Sequence, residues 1–214
     1  VVKYLVEQGA DFKILDNDGM TPLHLSAFKG EIDVVKYLIE KGADFKIGTK
    51  LGRTPIRLAA QEGRLYVVKY LVEQDADFKK TDRYGWTPLH SAAFKGQLDV
   101  VKYLIENGDI FGNLTKNGRT PLHMAAKEGR LDIVKYLVEQ GADCEIPDNY
   151  GMTPLHWAVF KGELDVVKYL VANGADLRIL TKADCTPLHL AALEGRLDLL
   201  KYLVGQGSYF KIPD

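Results

Sequence analysis

Cysteine is nearly missing: Cys144 and Cys185 stand in no spaced pattern. Two free thiols rather than a disulfide framework follow, and a reducing intracellular compartment, cytoplasmic by default, is the expected setting. No run of about 18 apolar residues occurs, so no membrane insertion is expected. No secretory leader is visible. The chain does open on "VVKYLVEQGAD", a phrase repeated in its interior, so a start further upstream is expected. Charge of one sign is not in excess: 28 Lys and Arg face 29 Asp and Glu, a net charge of −1. That balance argues against nucleic acid or another polyanion as partner. No Gly-rich phosphate loop, nucleophile elbow or spaced carboxylate pair appears, so no catalysis and no cofactor are expected.

What the sequence has instead is one sentence written repeatedly. "MTPLHLSAFKGEIDVVKYLIEKGAD" starts at Met20, "RTPLHMAAKEGRLDIVKYLVEQGAD" at Arg119 and "MTPLHWAVFKGELDVVKYLVANGAD" at Met152. The Thr-Pro pair recurs at Thr21, Thr54, Thr87, Thr120, Thr153 and Thr186, always 33 residues apart. A fixed period without insertions marks a stack of structural units. The units are expected at 17–49, 50–82, 83–115, 116–148, 149–181 and 182–214, after a partial unit at 1–16, as a single array over 1–214.

Each unit reads as two helices. In the first unit, Gly19 suits a turn, Thr21 can cap a helix and Pro22 fits its first position. A short helix with small residues then ends at Gly30. The second helix places Ile32, Val35, Leu38 and Ile39 on one face and ends at Gly42. "ADFKIGTKLG" leads out as an extended hairpin. No helix pair has enough core to fold alone, whereas stacked pairs bury a continuous one.

The 33-residue period, TPLH, the alanine pair, the helix-ending glycine and G-A-D closely resemble the ankyrin repeat, over the whole chain. The resemblance implies an all-α solenoid of stacked helix–turn–helix units with projecting β-hairpin loops. It also implies a concave binding surface of hairpin tips and first helices, and proteins as ligands. Departures are present. Arg57 stands for the TPLH histidine, Asp75 and Asp184 for glycines, and "NGDIFGNLT" around Asp109 is expected to disturb its hairpin.

The five histidines, His24, His90, His123, His156 and His189, invite a metal reading. Neighbouring helices lie about 10 Å apart, and zinc–nitrogen bonds are about 2 Å. One ion cannot join two repeats, so structural histidines bonded to their own threonines are expected. The tyrosines from Tyr4 to Tyr202, one per second helix, are expected to pack on neighbouring repeats. A second period of two repeats alternates Lys29, Glu62, Lys95, Glu128, Lys161 and Glu194, and two residues on Glu31, Arg64, Gln97, Arg130, Glu163 and Arg196. Ion pairs between these tracks are expected.

By the resemblance, partner contacts fall on the turn tips and the ends of the first helices. Tips ordinarily carry small polar residues, but here they carry Tyr84, Trp86, Tyr150 and Met152 beside Arg53 and Arg119, with Phe94 and Phe160 at helix ends. Tyr, Trp and Arg are the residues of interface hot spots. The expected function is a non-catalytic protein–protein interaction module holding a partner segment across repeats two to five. The basic tips favour an acidic, aromatic-containing segment. The alternative is a structural or elastic spacer of a longer array. The last repeat keeps interior residues Leu197, Leu200, Leu203 and Val204, and Val2, Leu5 and Val6 lack a partner helix. A monomer in solution with end-to-end stacking is therefore expected.

Overall fold

The computed structural model describes residue 9 and residues 11–207. The readings on Val2, Tyr4, Leu5 and Val6 lie outside them. Among the described residues twelve helices run in six pairs. The pairs are α1 (Pro22–Lys29) with α2 (Ile32–Glu40), α3 (Pro55–Gln61) with α4 (Leu65–Glu73), and α5 (Pro88–Lys95) with α6 (Leu98–Glu106). They continue as α7 (Pro121–Lys127) with α8 (Leu131–Glu139), α9 (Pro154–Lys161) with α10 (Leu164–Ala172), and α11 (Pro187–Leu193) with α12 (Leu197–Gly205). Two compact units result, Val1–Ile110 and Phe111–Asp214.

The TPLH phrase builds the start of each first helix. Thr21 is extended, and its hydroxyl accepts the His24 N–H while His24 Nδ1 accepts the Thr21 N–H at 3.1 Å. This capping box recurs at Thr87–His90, Thr120–His123, Thr153–His156 and Thr186–His189. With Nδ1 accepting, the ring proton sits on Nε2, which donates to the Ile47 and Arg53 carbonyls at 3.1 Å. One histidine thereby ties its helix to the following loop. Burial pushes the His24 and His156 rings below their ordinary range, and His123 down to about 4, so they serve as neutral braces. Among the described residues no three His, Cys, Asp or Glu side chains gather as a metal site.

Helices of seven to nine residues are too short to stand alone. In the first unit α1, α3 and α5 pack in sequence, with α2, α4 and α6 behind them. In the second, α7, α9 and α11 do the same, backed by α8, α10 and α12. Small residues permit the close approach: Ala27, Ala59, Ala60, Ala92 and Ala93 are all 0 % exposed. Each second helix fully buries a leucine at the same position, Leu38, Leu71, Leu104, Leu137, Leu170 or Leu203, and the last buries Leu199 as well. Asp75 and Asp184 do take the left-handed backbone of the glycines they replace, at φ 63° and 55°.

Four expectations change. The loops hold no strand among the described residues. Neighbouring tips share single backbone bonds, such as Lys50 N–H to the Asp18 carbonyl (3.0 Å) and Lys182 N–H to the Tyr150 carbonyl (2.9 Å), too few for a ladder. The third-repeat loop keeps its course: Asp109 N–H donates to the Leu104 carbonyl at 3.0 Å, as Ala76 does to Leu71. Its irregularity is a carboxylate buried where other repeats bury alanine. The alternating charge tracks also work differently. Arg64 Nε donates to the Phe28 carbonyl at 3.2 Å, and a Cβ on Gly30 would come within 2.7 Å of the Arg64 Cδ. Arg64 thus covers the end of the preceding first helix rather than pairing with a charge. Finally, the last repeat leaves Leu197 and Val204 exposed but buries Leu203. The tyrosines do pack across repeats, with Lys36 over Tyr70 at 5.5 Å and Lys69 over Tyr103 at 5.4 Å.

Candidate protein-binding surface

Each loop tip is closed by an Asp or a Thr at its start, in strict alternation: Asp16, Thr49, Asp82, Thr115, Asp148, Thr181. A threonine hydroxyl accepts tip N–H groups across the turn, as Thr49 does from Arg53 (3.2 Å), Thr115 from Arg119 (3.1 Å) and Thr181 from Ala183 and Cys185 (3.3 and 3.2 Å). An aspartate does this with Oδ1 alone. Asp82 accepts the Tyr84 and Trp86 N–H groups at 2.8 and 2.9 Å, and Asp148 accepts those of Tyr150 and Met152 at 2.8 and 3.0 Å. At Asp82 and Asp148, Oδ2 is left for a second task beside an aromatic cluster.

In the second unit the second task is complete. Asp148 Oδ2 accepts Arg119 Nε and Trp157 Nε1, both at 3.0 Å. The Arg119 guanidinium lies 4.1 Å from the Trp157 ring centre, and Lys127 Nζ 5.4 Å from it. Phe160 meets the same ring edge-on at 5.7 Å. Charge, hydrogen bonds and ring faces are all matched inside the protein.

In the first unit the equivalent carboxylate serves a different residue. Arg57, at the histidine position, places Nη2 2.9 Å from Asp82 Oδ2, and both side chains are buried. Trp86 lies over this guanidinium at 5.8 Å and packs edge-on against Phe94 at 5.4 Å. Burial pushes Arg57 down to about 10, against the pull of Asp82, and the nearby charge of Arg53 pushes the same way. Without the histidine, Thr54 has no capping bond.

The eight residues expected to contact a partner therefore fall into two groups. Tyr84 and Tyr150 are 55 % and 58 % exposed, free of core packing. Arg53, Trp86, Phe94, Arg119, Met152 and Phe160 are half-buried. Arg53, Tyr84, Trp86 and Phe94 belong to the first unit, the other four to the second. Sequence reasoning missed Trp157, Asp82 and Asp148, and it took Arg57 as a blemish. The Asp/Thr alternation was the available signal, since a carboxylate in place of a hydroxyl announces a second bond.

The sequence profile for ankyrin repeats (three copies) matches residues 1–82, 47–114, 75–148, 109–181 and 147–214. The chain belongs to the ankyrin-repeat family. Ankyrin repeats generally act as protein–protein interaction modules and are typically without catalysis of their own. Comparison with curated protein sequences gives no match. No helix among the described residues of this ankyrin chain is long and apolar enough to cross a membrane.

Proposed function

We propose that this ankyrin chain is a non-catalytic interaction module whose tips and first helices hold an acidic, aromatic-containing segment of a partner protein. The observation that carries the reading is the solvent-exposed tip at Tyr84 with a half-exposed Trp86, and the half-buried Arg53 cation at the equivalent position of the preceding tip. Tyr150, Met152, Arg119 and Phe160 make a surface of the same kind on the second unit. A spacer has no use for exposed aromatics at solvated tips. Two free, half-buried thiols, Cys144 and Cys185, suit a reducing intracellular setting.

Random dodecapeptides displayed on phage supply a probe when the natural partner is unknown. Peptides selected on the wild-type chain should lose about 30-fold or more in affinity for Trp86→Ala. Because Trp86 also packs on Phe94, that variant should lose about 1–2 kcal/mol of stability. Unchanged peptide affinity in a folded Trp86→Ala protein overturns the reading.

The last pair presents Leu193, Leu197 and Val204 to solvent at 74 %, 61 % and 52 % exposure. We infer a weak face for a further repeat or a second copy, too small for a tight dimer. Sedimentation should show association only at high concentration, and Leu197→Lys with Val204→Glu should abolish it. Association that survives both changes places the contact elsewhere.

A further inference from the structure

The two aspartate clusters differ in one respect that bears on what the first unit binds. In the second unit the arginine at the tip, Arg119, holds the Asp148 carboxylate. In the first unit the equivalent arginine is Arg53, and the equivalent carboxylate, Asp82, is taken by Arg57. Among the described residues the Arg53 guanidinium has neither ion pair nor side-chain hydrogen bond. The Arg53 charge lies near enough to Arg57 to disfavour it, and the Asp82 carboxylate pairs with Arg57 alone, so the Arg53 charge is left in excess.

The polar atoms show the same deficit. Arg53 Nε, Thr54 Oγ1, Arg57 Nε, Arg57 Nη1 and Asp82 Oδ2 are all buried without a hydrogen-bond partner, five such atoms in one cluster. The 2.9 Å approach of Arg57 to Asp82 is an ion pair without hydrogen-bond alignment. Arg57 is only 4 % exposed. Buried polar groups are ordinarily satisfied, and a buried excess charge is costly unless something neutralises it. Arg53 is half-buried, so a ligand reaches it from the binding face. Trp86, its counterpart one repeat on, is half-exposed and lies over the Arg57 guanidinium at 5.8 Å.

We propose that Arg53, backed by Arg57 and the Trp86 ring over it, is the docking point for the side-chain carboxylate of an Asp or Glu in the partner segment. A carboxylate presents two oxygens to the guanidinium fork and removes the excess charge. An apolar residue next to that acid packs on Trp86. The second unit has no such vacancy for charge, because Asp148 already fills it. The proposal rests on the interaction-module reading and names the chemistry of its anchor.

The test is selection of phage-displayed random dodecapeptides on the full chain and three variants. Peptides from the wild type should be enriched in Asp or Glu next to an aromatic or aliphatic residue. Arg53→Ala should lose that enrichment and bind the wild-type peptides about 10-fold or more weakly. Arg178→Ala removes an equal charge already paired with Asp176, and should change neither. Arg57→His is the discriminating variant. It restores the capping histidine and frees Asp82 to hold Arg53, as Asp148 holds Arg119. Its unfolding midpoint should rise by about 2–4 °C, while its affinity for the acidic peptides falls as in Arg53→Ala. Acid enrichment that persists on Arg53→Ala, or acidic peptides bound equally well by Arg57→His, overturns the proposal and leaves the module reading standing. No peptide enriched on any of the four proteins overturns both.

Discussion

Asp148→Ala is expected to destabilise the second unit by about 3–5 kcal/mol, the cost of stripping one partner from a buried ion pair. The side chain closes its loop through two backbone N–H groups with Oδ1 and holds Arg119 and Trp157 with Oδ2. Alanine leaves a guanidinium and an indole N–H without their acceptor and opens the tip at Tyr150. Asp148→Asn keeps an oxygen for the turn and loses the charge, so it should cost less, about 1–3 kcal/mol. Urea unfolding gives both values. Local stacking confines the damage, so hydrogen exchange should quicken in α7 and α9 before α1 and α3. A loss below about 1 kcal/mol for alanine would show that the clasp is a surface ornament.

Asp109→Ala is expected to do the reverse and stabilise the protein near neutral pH, by on the order of 2–3 kcal/mol. Asp109 is 5 % exposed at a position where Ala43, Ala76, Ala142 and Ala175 are equally buried, so alanine fits the space. Burial raises its carboxyl from the ordinary 3.8 to about 6, with the Ile110 N–H and Lys79 opposing and Asp77 assisting. Between those two values the folded protein binds more protons than the unfolded chain. Stability from this group is therefore full below about pH 4 and falls as pH rises to about 6. Above that, the whole penalty of a buried charge applies, and that is what alanine removes. The gain should shrink steadily between pH 6 and pH 4, measured by denaturant midpoints at each pH. His123 runs the other way. Its depressed value of about 4 makes the unfolded state the better proton binder below 6.5, so stability is lost as pH falls through that window. Asp109→Ala should accordingly steepen the acid-side loss. A gain independent of pH would show that the benefit comes from packing alone.

Most of the architecture was legible because it is periodic. Thr-Pro-Leu-His specifies a capped helix start by local bonds alone, and the buried leucine of each second helix follows from 3.6-residue spacing. What stayed hidden depends on which side chain meets which partner, mostly across repeats. The charge tracks looked like ion pairs because opposite signs alternate, but Arg64 reaches a helix-end carbonyl, an acceptor that no side-chain pattern reveals. The G-A-D-F-K segments looked like hairpins by resemblance, yet their tips exchange single bonds. The candidate site was half legible. Exposed Tyr84 and Tyr150 follow from a tip being a tip. The difference between Arg53 and Arg119 lies in which arginine reaches the aspartate, and Arg57 decides it from within a helix.

The central claim is that tips and first helices form the binding face. Its most direct test is backbone amide chemical-shift mapping of the 214-residue chain with the tightest selected dodecapeptide. Shifts should concentrate at residues 51–54, 83–87 and the end of α5, with the Trp86 indole N–H among the largest. Shifts confined to α2, α4 and α6, the helices behind that face, would contradict the account.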